Sequence, residues 1–433
     1  MSSVKLKDSG IAWIGKIPQH WEVGKVKHYY KMRVGFTPTS SNSLYYDEEN
    51  GHTWITISDM KSKIVSESSS KISALYIQEK NPKIIPKNSL LYSFKLSVGV
   101  VAFNEKEVYT NEAIASFLDG ENVNLSFLYY SSRLIAFNAN ENIYGAKLLN
   151  QELIKNAKIV FPPLQEQEAI AKFLDEKCQD IDALIATHQE SIEKLRDYRT
   201  SLISETITQG PDKDTALKDS GIAWIGKIPQ HWEIWRLKFL ARTYTGNSIK
   251  DEEKDFYTNT ENAIPYIATK DICRETRQID YENGLYIPID NDSFKRAKAE
   301  SILLCIEGGN AGRKIGFLNQ EVCFVNKLCC IEVFKNHNAK WLFFALQSKP
   351  FSTEFELKLS GLISGVSVEK LKCFSLPLPP LQEQEAIAKF LDEKCQDIDA
   401  LIATHQESIE KLRDYRTSLI SEVIVGQHQG AYQ

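Results

Sequence analysis

The chain has 433 residues, of which 42% are hydrophobic and 25% charged, and its formal net charge is −5 at pH 7. This composition is typical of a globular protein with two or three domains. There is no apolar run near the ~18 residues that a membrane-spanning helix needs, and residues 1–16 lack the apolar core of a signal peptide. These features exclude an integral membrane protein and predict a cytoplasmic location.

Two segments of the sequence occur twice without a change. A 17-residue segment, called the box here, spans residues 6–22 and 217–233, and a 44-residue repeated segment spans 162–205 and 379–422. Between them lie two dissimilar stretches, head 1 (23–161) and head 2 (234–378). The predicted domains, in order, are box and head 1 (1–161), a central coiled-coil helix (162–205), a linker (206–216), second box and head 2 (217–378), a C-terminal coiled-coil helix (379–424) and a tail (425–433).

Charge is unevenly divided along the chain. Residues 162–205 hold 5 Lys/Arg and 10 Asp/Glu, so the two copies together contribute −10. Head 1 holds 16 basic and 13 acidic residues, and head 2 holds 20 and 18. The heads are therefore mildly basic, which permits DNA binding, whereas the acidic repeated segments suit protein partners better than phosphates.

Each box combines Gly, Ile-Pro and two tryptophans in a pattern with neither helical nor strand periodicity. It predicts a turn-rich lead-in that its indoles anchor to a neighbouring element. Head 1 alternates short β-rich runs with polar loops, at 53–57, 89–94, 98–103 and 113–118, then predicts one helix over 126–138, a short helix over 150–156 and a strand over 157–161. Head 2 aligns with it by pattern, which places Asp271 at Asp59 and Asn326 near Asn111. Two heads of one fold are expected.

The repeated segment predicts a long helix that opens at Pro162 and Pro163. Its residues at alternating steps of four and three form a heptad seam. The seam comprises Leu174, Cys178, Ile181, Ile185, His188, Ile192, Leu195, Arg199 and Leu202, and in the second copy Leu391, Cys395, Ile398, Ile402, His405, Ile409, Leu412, Arg416 and Leu419. His188 and Arg199 are expected to fix register or reach the edge of the seam, the alternative being switches or DNA contacts.

The partner of each seam is predicted to be the other copy, in antiparallel orientation because the link between them is short. The predicted fold class is α+β, with two pseudo-twofold-related α/β domains separated by a long antiparallel two-helix coiled coil. Residues 164–205 would span about 63 Å at ~1.5 Å per residue. That length corresponds to roughly 18 base pairs at ~3.4 Å each, an upper limit on the separation of two DNA-binding heads.

No catalytic motif is present in the sequence. Gly309 and Gly312, followed by Arg313, lack the Gly-Lys-Ser/Thr ending of a phosphate-binding loop and predict a tight turn between strands. The eight cysteines include no CxxC pair, which predicts free thiols and no metal site, and Cys329 and Cys330 predict a buried strand. The sequence therefore favours a binding protein over an enzyme.

The string SGIAWIGKIPQHWE, then a variable head, then PPLQEQEAIAKFLDEK opening a coiled-coil helix, all in duplicate, resembles the specificity subunit of type I restriction-modification systems. The resemblance covers nearly the whole chain. It implies that each head is a target-recognition domain for one half of a bipartite DNA site, that the coiled coil sets the spacer, and that this subunit catalyses nothing.

The same resemblance implies the partners. They are double-stranded DNA, two modification (methyltransferase) subunits and two restriction (endonuclease and translocase) subunits, with no membrane. S-adenosylmethionine, ATP and magnesium are expected in those partner subunits, with no cofactor or metal in this chain.

Candidate DNA contacts are polar and basic residues in loops that follow strands. They are Lys61, Lys63, Lys95, Asn111, Tyr144 and Lys147 in head 1, and Lys270, Arg274, Arg277, Arg313, Lys314, Asn326 and Lys327 in head 2. Loops at Thr37-Pro38 and Thr245-Gly246-Asn247 are further candidates.

Two other functions stay open at this point, a stand-alone DNA-modifying enzyme and a structural coiled-coil adaptor. Methyl transfer or cleavage by the isolated chain would indicate the enzyme, and heads without effect on DNA binding would indicate the adaptor.

Overall fold

The computed structural model describes residues 5–95, 97–141, 147–212, 214–359, 365–428 and 431. The chain forms two compact units. Unit 1 consists of Met1–Ala186 and Ile409–Gln433, and unit 2 of Thr187–Ser408. The division falls within the two long helices, so each unit contains part of both. Tyr144 lies outside the described residues.

Unit 1 contains head 1 and its box. Its strands are β1 (Leu6–Asp8), β2 (Lys16–Pro18), β3 (Glu22–Lys25), β4 (Lys31–Val34), β5 (His52–Ile55), β6 (Ile64–Val65), β7 (Lys71–Ile72), β8 (Leu90–Ser93), β9 (Val101–Asn104), β10 (Tyr109–Thr110), β11 (Ile114–Leu118), β12 (Asn140–Glu141), β13 (Lys147–Leu148) and β14 (Lys158–Phe161). Its helices are α1 (Val26–Tyr29), α2 (Ala74–Lys80), α3 (Leu125–Ser131), α4 (Arg133–Ala136), α5 (Gln151–Asn156) and the first half of α6 (Leu164–Gln209).

Unit 2 contains head 2 and the second box. Its strands are β15 (Leu217–Asp219), β16 (Lys227–Pro229), β17 (Glu233–Arg236), β18 (Ala241–Thr245), β19 (Ala263–Ile267), β20 (Tyr286–Pro288), β21 (Arg296–Ala297), β22 (Ile302–Cys305), β23 (Ile315–Phe317), β24 (Val322–Phe324), β25 (Leu328–Val333) and β26 (Ser375–Leu378). Its helices are α7 (Ala339–Ala345), α8 (Lys349–Lys358), α9 (Val368–Leu371) and most of α10 (Leu381–Ile424).

The two heads share one topology, as predicted. Head 1 has a sheet of order β4-β11-β8-β9-β6 and a smaller one of order β10-β5-β7, and head 2 has β18-β25-β22-β23 and β20-β19-β24-β21. The parallel pair of β5 with β10 corresponds to that of β19 with β24. The amide of Asn111 donates to the Ile55 carbonyl, and that of Val325 donates to Ile267, each at 3.0 Å. Asn111 therefore matches Val325, one residue from the predicted Asn326.

One glycine in each head is required by close backbone contact. A Cβ on Gly35 would lie 1.9 Å from the Thr110 carbonyl oxygen, and one on Gly246 would lie 1.8 Å from the Phe324 oxygen. Atoms at these distances overlap, so neither position accepts a side chain. The two positions are equivalent in the heads, which confirms a common fold despite dissimilar sequences.

The long helices pair in antiparallel orientation within each unit. In unit 1, Leu174, Cys178 and Ile181 of α6 share a core with Leu412 and Leu419 of α10. In unit 2, Ile203 and Ile207 of α6 share a core with Ile387, Leu391 and Cys395 of α10. The ion pairs Asp182–Arg416 in unit 1 and Arg199–Asp399 in unit 2 follow the same register, in which numbers rise along one helix as they fall along the other. The predicted fold class is confirmed.

Three local predictions differ from the structure. The predicted helix over 126–138 is two helices, α3 and α4, interrupted at Ser132, whose hydroxyl donates to the Tyr129 carbonyl at 3.1 Å. Such side-chain hydrogen bonds compete with the regular helix pattern. Helix α6 continues to Gln209, into the predicted linker. Each box also contains a two-stranded antiparallel hairpin, β1-β2 or β15-β16. Its short strands lack a regular alternation of apolar and polar residues and pair through the backbone, so the sequence pattern did not predict them.

Candidate nucleic-acid interface

Each box is fastened to the first turn of the long helix that follows its head. The Trp21 indole donates to Glu166 Oε2 at 2.8 Å, and His20 Nε2 lies 2.7 Å from Glu166 Oε1. In unit 2 the Trp232 indole donates to Glu383 at 2.8 Å, and His231 lies 2.8 Å from the same carboxylate. The prediction that the box is an anchored lead-in is confirmed, and we call this arrangement the clamp.

The clamp also touches the end of the other long helix in its unit. Gly426 (φ 77°), which follows α10, would place a Cβ 2.4 Å from Pro18 and 3.0 Å from Trp21. Gly210 (φ 78°), which follows α6, would place one 3.6 Å from Trp232. Left-handed glycine is a common helix terminator. Each clamp therefore joins the start of one long helix to the end of its antiparallel partner, and the head is held on that frame.

Several predicted residues of head 2 meet at one edge of the sheet β18-β25-β22-β23. Cys305, the last residue of β22, pairs with Leu328 on β25, while Leu304 pairs with Ile315 on β23. Lys314 precedes Ile315 and Lys327 precedes Leu328, so the two lysines lie on either side of Cys305. Both lysines act to lower the pKa of its thiol, although burial is the larger effect and raises that pKa overall. We call this end of head 2 the basic edge.

Lys270 and Arg274 extend the basic edge. Lys314 Nζ donates to the Thr269 carbonyl at 2.8 Å, next to Lys270. Lys270, Arg274 and Lys314 line one concavity of about 660 Å³. Lys270 and Arg274 are exposed, as are Asn326 and Lys327 in the turn between β24 and β25. The sequence missed two amide side chains there, Gln278 and Asn310, and Asn310 belongs to the glycine-rich 306–314 loop that was predicted to be a turn.

A 3₁₀ turn positions Lys270. Asp271 Oδ2 accepts from the Ala268 amide and from the Asn283 side chain, both at 2.8 Å. In head 1 the equivalent Asp59 accepts from the Thr56 amide at 2.8 Å and from the Ser69 amide at 3.0 Å. Burial raises the pKa of Asp271. Burial also acts to raise the pKa of Asp59, but the hydrogen bonds from Thr56 and Ser69 outweigh it and lower that pKa.

Head 1 places fewer of its predicted residues together. Lys95 follows β8 and Asn111 precedes β11 at the same edge, where Lys95 Nζ lies 3.9 Å from Glu112. Lys61 is exposed just beyond the Asp59 turn. Lys63 is turned toward helix α6, where its ammonium lies 2.5 Å from Asp175 and 5.0 Å from the Tyr129 ring centroid. Of Lys147, only the backbone in β13 is described.

Two arginines of head 2 lie apart from the basic edge. Arg313 is exposed and lines a separate cavity of about 200 Å³ with Phe355. Arg277 is half-buried and turned toward the long helices, where it lines cavities with Arg199 and Asp399. The edge and its concavity include six candidate contacts, Lys270, Arg274, Asn310, Lys314, Asn326 and Lys327, and the carboxylates of Asp271, Glu275 and Asp280 line the same concavity.

The predicted seam is buried or half-buried along both helices. Leu174, Ile181, Ile192, Leu391, Ile398 and Ile409 are buried, and Ile185, Leu195, Ile402 and Leu412 are half-buried. His188 faces His405, with Nδ1 atoms 2.7 Å apart. By contrast, beyond the first helical turn, where Leu164 and Leu381 are also exposed, each unit exposes one leucine and one tyrosine of the repeated segment at equivalent positions. They are Leu184 and Tyr415 in unit 1, and Leu401 and Tyr198 in unit 2, each 50–56% exposed.

The described residues contain no group of three or more His, Cys, Asp or Glu arranged to hold a metal ion. In the same part of the chain no helix is both long and apolar enough to cross a membrane. All eight cysteines are free thiols, and Cys329 and Cys330 are buried in β25, as predicted.

Two differing α/β heads on identical clamped frames define a class of two-headed recognition proteins. The family model for the type I restriction modification DNA specificity domain matches the chain twice, over residues 18–195 and 229–412. Since these matches cover most of the sequence, the chain belongs to that family. Its function is that of the specificity subunit of a type I restriction-modification system, with two tandem recognition domains.

Curated relatives agree with this assignment over more than nine-tenths of their length. The chain is 24% identical over 427 residues to the type I restriction enzyme MjaVIII specificity subunit of Methanocaldococcus jannaschii, covering 95% of this chain and 93% of the relative. It is 26% identical over 439 residues to the putative MjaX specificity subunit of the same organism, covering 95% of each.

Solved structures share the fold. One, from work on complex assembly and conformational transition of the type I R-M system, has a TM-score of 0.72 at 15% identity and covers 95% of this chain and 99% of its own. The HsdS subunit from Thermoanaerobacter tengcongensis has a TM-score of 0.53 at 16% identity, covering 95% and 98%.

Proposed function

We propose that the chain is a non-catalytic DNA-recognition scaffold to which two modification subunits, and in the full complex two restriction subunits, bind. Each head contacts one half of a bipartite site in double-stranded DNA. Methyl transfer from S-adenosylmethionine and ATP- and magnesium-dependent cleavage belong to the partners, and this chain holds no cofactor. The complex works in the cytoplasm.

One observation supports this proposal above the others. The clamp is repeated with the same atoms and the same 2.8 Å indole–carboxylate distance in both units, while the heads that it holds differ in sequence. A frame that is constant and a head that varies is the arrangement expected when two copies of one partner must bind beside two different DNA half-sites. The basic edge supplies Lys, Arg and Asn side chains of the types that contact phosphates and base edges.

The equivalent exposed residues support a partner that binds twice. Leu184 with Tyr415, and Leu401 with Tyr198, present one leucine and one tyrosine in each unit. Exposed aromatic and aliphatic side chains on an otherwise charged surface are typical anchors of protein interfaces. We assign them to the modification subunits, because the sequence of the frame is the same in both units.

A head exchange tests the proposal. Residues 23–161 are replaced by head 1 of another family member, the complex is expressed with its modification subunit, and the methylome of the host is sequenced. One half of the methylated motif should change while the other half stays, and exchange of residues 234–378 should do the reverse. Unchanged motifs in active complexes would refute the assignment of the heads. The isolated chain, incubated with S-adenosylmethionine and DNA, should show no methyl transfer.

The long helices are proposed to set the unread spacer. Removing seven residues from both α6 and α10 shortens each helix by about 10 Å and preserves the heptad pattern. The methylated half-sites should stay the same while the spacer between them shortens. An active complex with an unchanged spacer would contradict this role.

A further inference from the structure

Unit 2 contains a cavity with an excess of positive charge that DNA recognition does not explain. Its volume is about 440 Å³, and it is lined by Arg199 of α6, the loop over Thr276–Ile279, and the side chains of Lys340 and Asp392. A second cavity of about 450 Å³ shares Arg199, Thr276 and Arg277 with the first. The two arginines therefore stand where head 2 meets its own helices.

The guanidinium groups of Arg199 and Arg277 are incompletely paired. The Nε atoms of both are buried and have no hydrogen-bond partner. The side chain of Arg199 is only 9% exposed; its Nε faces Asp399 Oδ1 at 3.6 Å, beyond hydrogen-bond distance, and its guanidinium also interacts with the Cys395 thiol. Arg277 donates through Nη1 to the Glu275 carbonyl at 2.6 Å. A buried donor without a partner is unfavourable, and an anion in the adjoining cavity would satisfy it.

The charges around the two arginines do not balance. Lys340 is paired with Asp392 at 2.7 Å, and Arg196 with Glu193 at 2.7 Å. Asp399 is the ion-pair partner of Arg199, and at Arg277 the nearby charges of Asp399 and Glu275 offset the effect of burial only in part. Burial, and then the nearby charge of Arg199, lower the pKa of Arg277 to about 10. Two cations held together in a poorly hydrated place are stabilised by an anion.

The backbone at Arg277 is also strained. Its φ is 60°, in the left-handed region that side-chain-bearing residues seldom adopt. Strain of this kind is concentrated at functional sites. Here it directs the side chain toward the helices instead of solvent.

We propose that this cavity binds a small phosphate-bearing anion, with Arg199 and Arg277 as its principal ligands. Guanidinium groups donate to phosphate oxygens through paired N–H groups and keep their charge when buried. The size of the cavity suits a small molecule, since ligand pockets commonly have volumes of roughly 300–1,000 Å³. Tyr281, Phe317 and Phe343 form an aromatic wall beside the arginines, which leaves room for a nucleoside monophosphate as well as inorganic phosphate.

The occupied cavity would link head 2 to its helices. One ligand arginine belongs to the 273–278 loop and the other to α6, so a bound anion stabilises their contact. The cavity shares Gln278 and Ile279 with the concavity of the basic edge, but its two ligand arginines, Arg199 and Arg277, do not line that concavity.

Binding is tested on the full chain in a buffer free of phosphate and sulfate, at constant ionic strength. Inorganic phosphate, AMP and adenosine are titrated separately by calorimetry, and the melting temperature is followed in parallel. We expect saturable binding of phosphate or AMP and none of adenosine. Tighter binding of AMP than of phosphate would identify a nucleotide site, and equal binding would identify a phosphate site.

Two variants and one control complete the test. Arg277→Gly removes the guanidinium at a position whose backbone suits glycine, so the variant should fold and melt at least as high as the parent without ligand. Its affinity for phosphate should fall at least tenfold, as should that of Arg277→Gln, while Arg313→Gln, an exposed arginine of the same head, should bind normally. Equal binding by Arg277→Gly and the parent, or no saturable binding by the parent, would overturn the proposal. Phosphate that displaces DNA from the parent but not from Arg277→Gly would assign the cavity to the DNA backbone and overturn it too.

Discussion

Trp21 and Glu166, which are 145 positions apart in the sequence, are joined by a hydrogen bond of 2.8 Å from the indole to the carboxylate. Trp232 and Glu383 form the same bond at the same distance. The rings of Trp21 and Trp232 are fully buried, so each indole N–H donates to its carboxylate from a position shielded from water. This bond decides how each box meets its helix.

Replacing either carboxylate should destabilise its own unit. Glu166→Ala and Glu383→Ala each leave a buried indole N–H without this acceptor, at a loss of about 1–3 kcal/mol in the free energy of unfolding. Urea denaturation measures the change. Glu168→Ala and Glu385→Ala, at exposed positions of the same helical turns, are the matched controls and should change stability by less than about 0.5 kcal/mol. Equal effects of test and control variants would contradict the clamp.

The histidine pair on the seam should limit stability. His188 and His405 are half-buried and contact each other through Nδ1 at 2.7 Å, at positions that favour apolar residues. We expect His188→Leu with His405→Leu to raise the free energy of unfolding by roughly 1–2 kcal/mol, because an apolar pair replaces a polar one. Either single substitution removes the partner ring and should give less than half of that gain, measured by calorimetry. A double variant less stable than both single variants would show that the pair is stabilising.

The exposed tyrosines should affect partner binding without affecting the fold. Tyr198→Ser and Tyr415→Ser remove side chains that are 56% exposed, so the melting temperature should hardly change. If each tyrosine anchors one modification subunit, either variant should bind one subunit in place of two, and the double variant none, in size-exclusion chromatography with light scattering. Phe256→Ser, at a residue of head 2 that is 78% exposed, is the control and should bind two.

Lys63 and Lys327, both predicted from the sequence as DNA contacts, should have different roles. Lys327 lies exposed at the basic edge, so Lys327→Ala should weaken DNA binding and reduce the slope of log K against log salt by about 1. Lys63 is paired with Asp175, so Lys63→Ala should lower the melting temperature slightly and leave the salt slope unchanged. Fluorescence anisotropy over a salt series distinguishes them, and a changed slope for Lys63→Ala would return that residue to the DNA contacts.

Asp59 and Asp271 should respond differently to pH. The pKa of Asp59 is lowered in the folded chain, so its ionised form stabilises head 1 above the unfolded value of about 4, and that contribution is lost as the pH falls through the folded pKa. Asp59→Asn should therefore cost stability at pH 7 and less near pH 3. The pKa of Asp271 is raised by burial, so folding favours its protonated form, which stabilises below the folded pKa. Asp271→Asn should thus be better tolerated at pH 7, as thermal melts of the two variants across pH 3–7 would show.

The sequence alone was enough to predict the long helices, their seam and the likeness of the two heads. These features depend on local rules: heptad spacing predicts burial along one stripe, and alternating apolar runs predict strands. Leu174 and Leu391 are fully buried as their spacing required, and Asp271 closes the same turn as Asp59. The exact repeats also indicated two identical frames before any contact was known.

Only the tertiary structure decided which polar residues lie together. Lys270, Lys314 and Lys327 are distant in sequence but adjacent at one sheet edge, because strand register sets their neighbours. Lys63 and Arg277 were indistinguishable from them as loop cations, yet each is turned toward a long helix by packing and, for Arg277, by an unusual backbone angle. The sequence gives the charge of a side chain, whereas the direction in which it points and the group that it contacts depend on residues that only folding brings near.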